Sequence, residues 1–328
     1  MEYQEETIKT RVVGVDISID RTTIAIVNIR GKIIAESNFD TSEYPDVNNY
    51  IIKLSEEILK LVEANGGYET IRSVGISAPS ASFTSGCIIN SPNLPWKGTI
   101  PLAAMLRDQL GLAVALGNDA HVAALGEKAF GSAHGMSDFI LVTLGGGVGS
   151  CFFSAGREHQ GYDGMAGEIG HTCIVDNGRQ CGCGNKGCLE AYTNAKGIVL
   201  TARELMAASD EPSLMRNLET LTPLTIKECC DRGDAMAIEV YRKTGYILGI
   251  GLASYASVIN PQAIILTGGI SHAGKWLMQP MVESFEQHIL MNMRGRVKFL
   301  TSKLNNHERD VLGASVLAWQ VKEYSLFL

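Results

Sequence analysis

The sequence has few aromatic residues and no apolar run long enough to cross a membrane. Aromatic side chains make up 7% of the 328 residues, and only 3 residues are tryptophan. The most apolar long stretch, Tyr246 to Ile259, is too short and too rich in glycine and serine to span a bilayer. Met1 to Thr10 is acidic and has no apolar core, which predicts no signal peptide. We therefore expect a cytoplasmic protein that does not bind membranes.

An excess of basic residues is also missing. The formal net charge is −7, which argues against a general nucleic-acid surface, so an anionic substrate would need local hydrogen-bond donors. No G-x-x-x-x-G-K-[ST] phosphate loop occurs in the sequence, which excludes the commonest class of nucleotide-binding site. A hydrophobic content of 45% and a charged content of 19% fit a globular protein, and the length predicts two domains.

Four potential metal ligands lie in the glycine-rich stretch from Gly164 to Glu190. They are His171, Cys181, Cys183 and Cys188. Three thiols and one imidazole suit structural zinc, which prefers four tetrahedral nitrogen and sulfur ligands. A glycine-rich loop with incidental thiols is the alternative, and disulfides are a weaker one because nothing indicates secretion. The other cysteines, which we expect to be core or surface thiols, are Cys87, Cys151, Cys173, Cys229 and Cys230.

Two glutamates bracket these ligands. Glu168 lies three residues before His171, and Glu190 lies two residues after Cys188. A metal ion that closed the loop would fix both carboxylates relative to each other, and His171 could still donate from its second ring nitrogen. The arrangement predicts a polar clamp for a ligand rich in hydroxyl groups.

Strands and helices alternate along the chain, and both halves contain the same pattern of a strand, a turn rich in glycine or acidic residues, and a second strand. The predicted strands are Val12–Ile17, Thr23–Ile29, Lys32–Ala35, Ser73–Ser77, Ala113–Leu116, Phe139–Leu144, Val148–Phe153, Ala263–Thr267 and Val297–Leu300. The longer predicted helices are Tyr50–Ala64, Pro101–Leu110, Ala120–Phe130, Ala235–Val258, Gly274–Leu290 and Arg309–Lys322. The recurrence near residues 16–23 and 144–149 indicates a duplicated α/β domain. We predict one domain from residues 1–118, completed by the helix at about 309–328, and a larger one from 119–308.

Candidate ligand-binding residues follow several of these strands. Asp119 sits in a Gly-Asn-Asp turn after a strand, which suits a catalytic carboxylate, although a helix N-cap is the other interpretation. Asn118 beside it could bind a sugar hydroxyl. Asp16 could hold Mg²⁺ or merely stabilise a turn. The glycines that could let backbone amides approach a phosphate are Gly145, Gly146, Gly147, Gly268 and Gly269.

The sequence resembles the ROK family of sugar kinases and repressors. The similarity rests on seven blocks in the family's order, besides the Cys-Gly-Cys-Gly-Asn-Lys-Gly-Cys-Leu-Glu loop. They are V-G-V-D-I at 13–17, G-I-S-A-P-S at 75–80, N-S-P-N-L-P-W at 90–96, G-N-D-A at 117–120, L-G-G-G-V-G at 144–149, G-E-I-G-H at 167–171 and L-T-G-G-I at 266–270.

This resemblance implies a two-domain actin-like ATPase fold, related to ribonuclease H, with a cleft between the domains. It implies ATP-dependent phosphorylation of a hexose, glucose first, at the 6-hydroxyl, with Asp119 as the base and Mg²⁺ on the phosphates. The residues implied to hold the sugar are Asn93, Asn118, Glu168, His171 and Glu190. The resemblance also implies a structural zinc and a homodimer or homotetramer. N-acetylmannosamine, N-acetylglucosamine, mannose and fructose remain alternative substrates.

One block departs from the family pattern. The first phosphate loop usually reads D-x-G-G-T, whereas this sequence has Ser18, Ile19 and Asp20 in place of the last three residues. We expect Thr22 or Thr23 to supply the missing hydroxyl. The departure also motivates a second hypothesis, a sugar sensor of the same fold that no longer transfers phosphate. A repressor is a third, but only about ten residues precede the first strand, too few for its DNA-binding module.

Overall fold

A pair of antiparallel strands begins each half of the chain, as the sequence pattern predicts. The computed structural model describes residues 9–92 and 94–321. The strands are β1 Arg11–Ile17, β2 Arg21–Asn28, β3 Ile33–Asp40, β4 Ile71–Ala78, β5 Ala81–Ser82, β6 Cys87–Ile89, β7 Thr99–Ile100, β8 Ala113–Asn118, β9 Phe139–Leu144, β10 Val148–Ser154, β11 Arg157–Glu158, β12 Ala263–Thr267 and β13 Lys298–Thr301. The α-helices are α1 Val47–Glu63, α2 Leu102–Leu110, α3 Asp119–Phe130, α4 Glu190–Thr193, α5 Ala195–Ala208, α6 Pro223–Asp231, α7 Ala235–Ile259, α8 Lys275–His288 and α9 Asn306–Gln320.

The two large sheets have the same topology. Their strand orders are β3-β2-β1-β4-β8 and β11-β10-β9-β12-β13. In each sheet the first three strands of the chain form an antiparallel meander, and the next two add in parallel beside the first. Parallel additions need crossover helices, which explains why helical segments separate the later strands. The prediction of a duplicated α/β fold is therefore confirmed.

The chain divides into two compact units. The first contains the chain up to His134 and from Lys303 onward, and the second is Gly135–Ser302. The predicted boundary, 118/119, assigned α3 to the second domain, whereas α3 belongs to the first unit. Its place follows from close helix packing, because a Cβ atom at Gly126 of α3 would come within 2.8 Å of the Arg309 carbonyl oxygen of α9.

Helices cover both faces of the first unit's sheet. Buried residues on one face of β1, such as Val13 and Val15, pack with α1 and α2. Val12 on the other face packs with Val311 and Leu312 of α9. This alternation is expected for neighbouring residues of a strand that is buried on both sides.

A helical layer also covers the second unit's sheet. Buried residues of β9 and β12, such as Ile140 and Ile264, pack with Leu252 of α7. Helix α8 lies against α7, and glycine permits their close approach. A Cβ atom at Gly249 of α7 would come 2.4 Å from the Met281 carbonyl oxygen. Within the described part of the chain, no helix combines the length and the apolar character that crossing a bilayer requires.

We predict that Gly249→Ala destabilises the protein. Alanine gains about 1 kcal/mol of helix propensity over glycine, but overpacking against a backbone atom costs about 1–3 kcal/mol and should prevail. Urea unfolding should show a lower midpoint for this variant. Ser254→Ala, which changes an exposed residue of the same helix, is the matched control and should stay within about 0.5 kcal/mol of the wild type. Equal stability of the Gly249 variant and the wild type would show that α7 and α8 do not pack this closely.

Candidate active site and metal centre

The ends of three parallel strands bring polar residues of the first unit to one edge of its sheet. Asp16 of β1 is opposite Ser77 of β4, and Ala78 of β4 is opposite Asn118 of β8. Asp119 follows directly as the first residue of α3. The carboxyl ends of parallel strands are where open α/β sheets bind ligands, so this edge is a candidate site.

Asn118 and Asp119 both interact with the start of α3. Asn118 is the N-cap, and its Oδ1 accepts a hydrogen bond from the Ala120 amide at 3.0 Å. Asp119 Oδ1 accepts from the same amide at 2.8 Å. Asn118 is therefore the capping residue, and Asp119 is the first residue of the helix and has an exposed side chain. Both residues keep a polar atom that the cap does not use and that can meet a ligand.

Burial perturbs the carboxyl groups at this edge. It raises the pKa of Asp16 to about 6, while the nearby Ser77 hydroxyl acts in the opposite direction. Among the described residues that buried hydroxyl makes no hydrogen bond, so it acts on Asp16 by lying close to it. Burial also raises the pKa of Asp119, although the residue retains contact with solvent, because dense protein surrounds it. A base with a raised pKa is suited to taking a proton near neutral pH.

Helix α9 contributes two further charged residues that the sequence analysis missed. Arg309 is buried, and its Nε and Nη2 donate to Asp310 Oδ1 and Oδ2 at 2.7 and 2.9 Å. Burial raises the pKa of Asp310 to about 7, Arg309 lowers it, and Asp16 and Asp119 raise it. Nothing in the local sequence distinguishes these residues from the exposed first turn of a helix. The only sequence feature that could have indicated them is an Arg-Asp pair followed by an apolar run that contains a glycine.

The turn between β1 and β2 differs from the prediction made for it. Thr22 is fully buried, and its hydroxyl bonds to Thr41 Oγ1 at 2.9 Å and to Tyr50 Oη at 2.8 Å. Thr23 is also buried. Neither threonine offers a hydroxyl at the surface, so the expectation that they replace the family's loop threonine is not supported. The exposed Ser18, whose hydroxyl donates to the Arg21 carbonyl at 2.9 Å, is the residue of this turn with an accessible hydroxyl.

In the second unit, both glycine segments follow parallel strands and meet at one edge of the sheet. Thr143 near the end of β9 is opposite Thr267 at the end of β12. A Cβ atom at Gly268 would come 2.3 Å from the Leu144 carbonyl oxygen, so only glycine lets the two segments touch. Gly146, Gly147 and Gly269 are exposed there. Their exposed backbone could receive a phosphate, and the assignment of these glycines to phosphate binding stays a prediction.

The predicted metal ligands lie together. The ligand atoms of His171, Cys181, Cys183 and Cys188 all lie within 4.8 Å of one another. Cys183 Sγ is 3.6 Å from Cys188 Sγ, and Cys181 Sγ is 3.8 Å from His171 Nδ1. A tetrahedral ion with metal–sulfur bonds of about 2.3 Å has ligand-to-ligand distances of about 3.8 Å. The set can therefore hold one metal ion.

The electrostatics of the thiols also fit a cation. Burial raises the pKa of Cys188 to about 12 and raises that of Cys181, while the Asn185 amide lowers that of Cys183. Two of the three thiols thus resist deprotonation by themselves, and a bound cation removes that penalty. The loop also depends on Gly187, which has a φ of +75° and where a Cβ atom would meet the Val175 carbonyl oxygen at 1.8 Å.

Glu190 connects the metal ligands to the glycine segment after β9. Its Oε2 accepts from the Val148 amide at 2.8 Å, and the Cys181 thiol lies 4.0 Å from its Oε1. A Cβ atom at Gly147 would come 2.9 Å from Oε2. Glu168 is exposed and precedes the short helical turn Ile169–His171. Asn93, also predicted to bind sugar, lies outside the described residues.

Comparisons with known proteins agree along nearly the whole chain. A glucokinase of Halalkalibacterium halodurans is 31% identical over 317 residues, covering 95% of this chain and 94% of that protein. The structure of a ROK family glucokinase from Streptomyces griseus, in complex with glucose and AMPPNP, covers 95% of this chain and 100% of its own at 28% identity, with a TM-score of 0.76.

Repressors of the same family are also similar. A xylose repressor of Caldicellulosiruptor bescii is 27% identical over 90% of this chain and 75% of its own length. Residues 12–321 match the ROK family as a whole. The chain belongs to the ROK family.

Proposed function

We propose that this protein is an ATP-dependent hexose kinase that transfers the γ-phosphate of ATP to the 6-hydroxyl of glucose. The observation that carries the proposal is Asp119, an exposed carboxylate with a raised pKa at the end of a parallel strand, in a chain that aligns with a glucokinase over 95% of its length. Its glycine segments and metal-ligand loop are the features expected around the substrates.

Asp119 acts as the general base. Its carboxylate takes the proton from the sugar hydroxyl, and the sugar oxygen forms a bond to the γ-phosphorus while the bond from that phosphorus to the ADP oxygen breaks. In phosphoryl transfer the protein mainly positions the partners and stabilises charge. The raised pKa makes Asp119 a stronger base than an ordinary aspartate, which suits it to accept the proton.

The remaining candidate residues divide between the substrates. Asn118, Glu168, His171 and Glu190 hold the sugar, with Asn93 as a further predicted contact. The backbone of Gly145–Gly147 and of Gly268–Gly269 receives the nucleotide. Asp16 is the residue that would hold Mg²⁺, directly or through water, and Mg²⁺ when bound neutralises phosphate charge.

We also infer that the His171, Cys181, Cys183 and Cys188 set binds zinc and that this zinc is structural. Three thiolates and an imidazole favour zinc over magnesium, and four protein ligands leave no open position for water. The ion would hold the loop that carries Glu190, whose carboxylate contacts the Val148 amide.

A sugar sensor without transferase activity is the second candidate. The turn after β1 favours it, because Ser18, Ile19 and the exposed Asp20 stand where the family has two glycines and a threonine. A carboxylate near the phosphates would repel them. Measured turnover separates the sensor from the kinase.

We predict ATP-dependent phosphorylation of glucose and its loss in Asp119→Asn. Asparagine preserves the shape of the side chain but cannot take the proton, so kcat should fall on the order of 10²–10⁴-fold while sugar still binds. The measurement is coupled ADP release with glucose, mannose, fructose, N-acetylglucosamine and N-acetylmannosamine at fixed ATP, together with calorimetric sugar binding. Sugar binding without turnover in the wild type would support the sensor, and normal turnover in Asp119→Asn would exclude Asp119 as the base.

We predict that Glu168→Gln and Glu190→Gln raise KM for the sugar more than KM for ATP. Glutamine at 190 can still accept from the Val148 amide, so this variant removes the charge and preserves the local backbone contact. Glu228→Gln, an exposed glutamate of α6, is the control and should leave both constants unchanged. An increase confined to the KM for ATP would mean that these glutamates were assigned to the wrong substrate.

We predict about one zinc ion per chain in freshly purified protein, and little in Cys183→Ala. Cys173→Ala is the matched control, because Cys173 is an exposed thiol of the same loop outside the ligand set, and it should retain its zinc. Elemental analysis measures the metal, and thermal denaturation should show a lower midpoint for Cys183→Ala, since metal binding contributes to loop stability. Fully active, stable protein without zinc would contradict the assignment.

A further inference from the structure

An ion pair lies at the start of α9, where its arginine is buried and its aspartate is partly buried. Arg309 and Asp310 are neighbours in sequence and form a two-point hydrogen-bonded pair. Arg309 is only 7% exposed. Removing two charges from water is unfavourable even when they pair, so such a pair is weak evidence for a stabilising role. Its surroundings indicate another role.

The direction of α9 carries this pair to the edge of the sheet where Asp16 lies. The Ser73 hydroxyl donates to the Ala318 carbonyl at 2.8 Å. Further along the strands, a Cβ atom at Gly75 would meet the Ala314 carbonyl oxygen, and one at Gly14 would meet that of Val311. Helix residue numbers thus fall as strand residue numbers rise, and α9 runs antiparallel to β1 and β4. Its first turn, with Arg309 and Asp310, therefore lies toward Asp16 and Ser77 at the carboxyl ends of these strands.

Asp119 reaches the same edge of the sheet because it directly follows β8, and its helix α3 packs against α9. The Arg309 carbonyl oxygen lies where a Cβ atom at Gly126 would meet it at 2.8 Å, and a Cβ atom at Gly313 would meet the Val122 carbonyl oxygen at 2.0 Å. The two helices therefore touch along one to two turns after Asp119. Helices that approach this closely hold the residues of their first turns in fixed relative positions.

Three carboxylates at this edge interact electrostatically with one guanidinium. Asp16 comes from β1, Asp119 from α3 and Asp310 from α9, and Arg309 acts on each of them. Burial raises the pKa of Asp119, and the Ala120 amide, Arg309 and His121 oppose it. Without the guanidinium, three neighbouring carboxylates would repel one another, and one of them would take up a proton. A proton on Asp119 would remove the base.

We propose that Arg309 is a positioning residue for the Asp119 base and that Asp310 holds its guanidinium in place. The inference rests on the proposed function only in taking Asp119 as the base. Arg309 offsets the negative charges beside Asp119, so that the carboxylate stays ionised and available to the sugar hydroxyl. Asp310 uses the Nε and Nη2 edge of the guanidinium, which fixes the side chain within the first turn of α9.

The test compares the pH dependence of kcat/KM in Arg309→Gln, Arg309→Lys and Asp310→Asn. Losing the positive charge should move the acid limb of Arg309→Gln to higher pH by about one unit or more. Asp310→Asn removes a negative neighbour but keeps one oxygen that can accept from the guanidinium, so its limb should move in the opposite direction, to lower pH. Lysine keeps the charge without the planar fork, so Arg309→Lys should fall between Arg309→Gln and the wild type. Opposite shifts in the first two variants would not arise from a merely structural role.

A second readout does not depend on activity. Carboxyl ¹³C chemical shifts of aspartate-labelled protein, assigned with Asp119→Asn, report the titration of Asp119 directly in each variant. The Asp119 pKa should rise in Arg309→Gln and fall in Asp310→Asn. A titration unchanged in all three variants that retain the wild-type fold overturns the proposal. If Arg309→Gln does not fold, Arg309→Lys and Asp310→Asn still decide it by the same measurement.

The two readouts also separate this inference from the proposed function. Wild-type protein that phosphorylates no sugar, but whose Asp119 titration responds as expected, would sink the kinase assignment and still support the pairing of Arg309 with Asp119. Active protein whose Asp119 titration does not change in the Arg309 variants would support the kinase assignment and contradict the role proposed for Arg309.

Discussion

The contact between α9 and the glycines of β1 and β4 is the constraint on which the first unit depends. A side chain at Gly14 or Gly75 would collide with backbone atoms of the helix, so the helix lies directly on the sheet. The helix therefore has little freedom to rotate or slide on the sheet, because backbone atoms cannot change rotamer to relieve a clash. The position of Arg309 and Asp310 relative to Asp16 is thus a consequence of two residues that have no side chain.

The second unit reaches a comparable rigidity by different means. Its loop from Gly164 to Glu190 contains little regular structure beyond a short helical turn, isolated β-bridges and a cluster of thiols. Glu190 contacts both this cluster and the backbone of the glycine segment after β9. A ligand set that gathers the loop also determines where that carboxylate lies. One unit therefore organises its candidate site by close backbone packing, and the other by a cluster of potential metal ligands.

Features that depend on residues close together in the sequence could be predicted for most of this arrangement. Contacts between distant parts of the chain could not. The alternation of strands and glycine-containing turns was enough for the duplicated sheet topology, and the spacing of Cys181, Cys183 and Cys188 was enough for the ligand cluster, because the relevant residues are close in sequence. Thr22 was expected to supply the hydroxyl missing from the first phosphate loop, yet its hydroxyl is bound inside the core by Thr41 and Tyr50. Arg309 went unnoticed, since the strand ends it serves lie about 190 and 290 residues earlier in the chain. The predicted assembly into dimers or tetramers stays a prediction.

The first unit is built from two distant parts of the chain, and this has a consequence for synthesis on the ribosome. Its sheet is made before Gly135–Ser302, whereas α9 is made after that whole stretch. At roughly 5–20 residues per second, the intervening stretch takes on the order of ten to thirty seconds to translate. During that time the apolar face formed by Val12, Ala25 and Val27 lacks the helix that covers it in the finished protein. The second unit is continuous in sequence and can close its core before that helix emerges. Nascent chains would then carry a folded second unit and a sheet with one uncovered face. That uncovered face is the surface that chaperones and neighbouring nascent chains would meet.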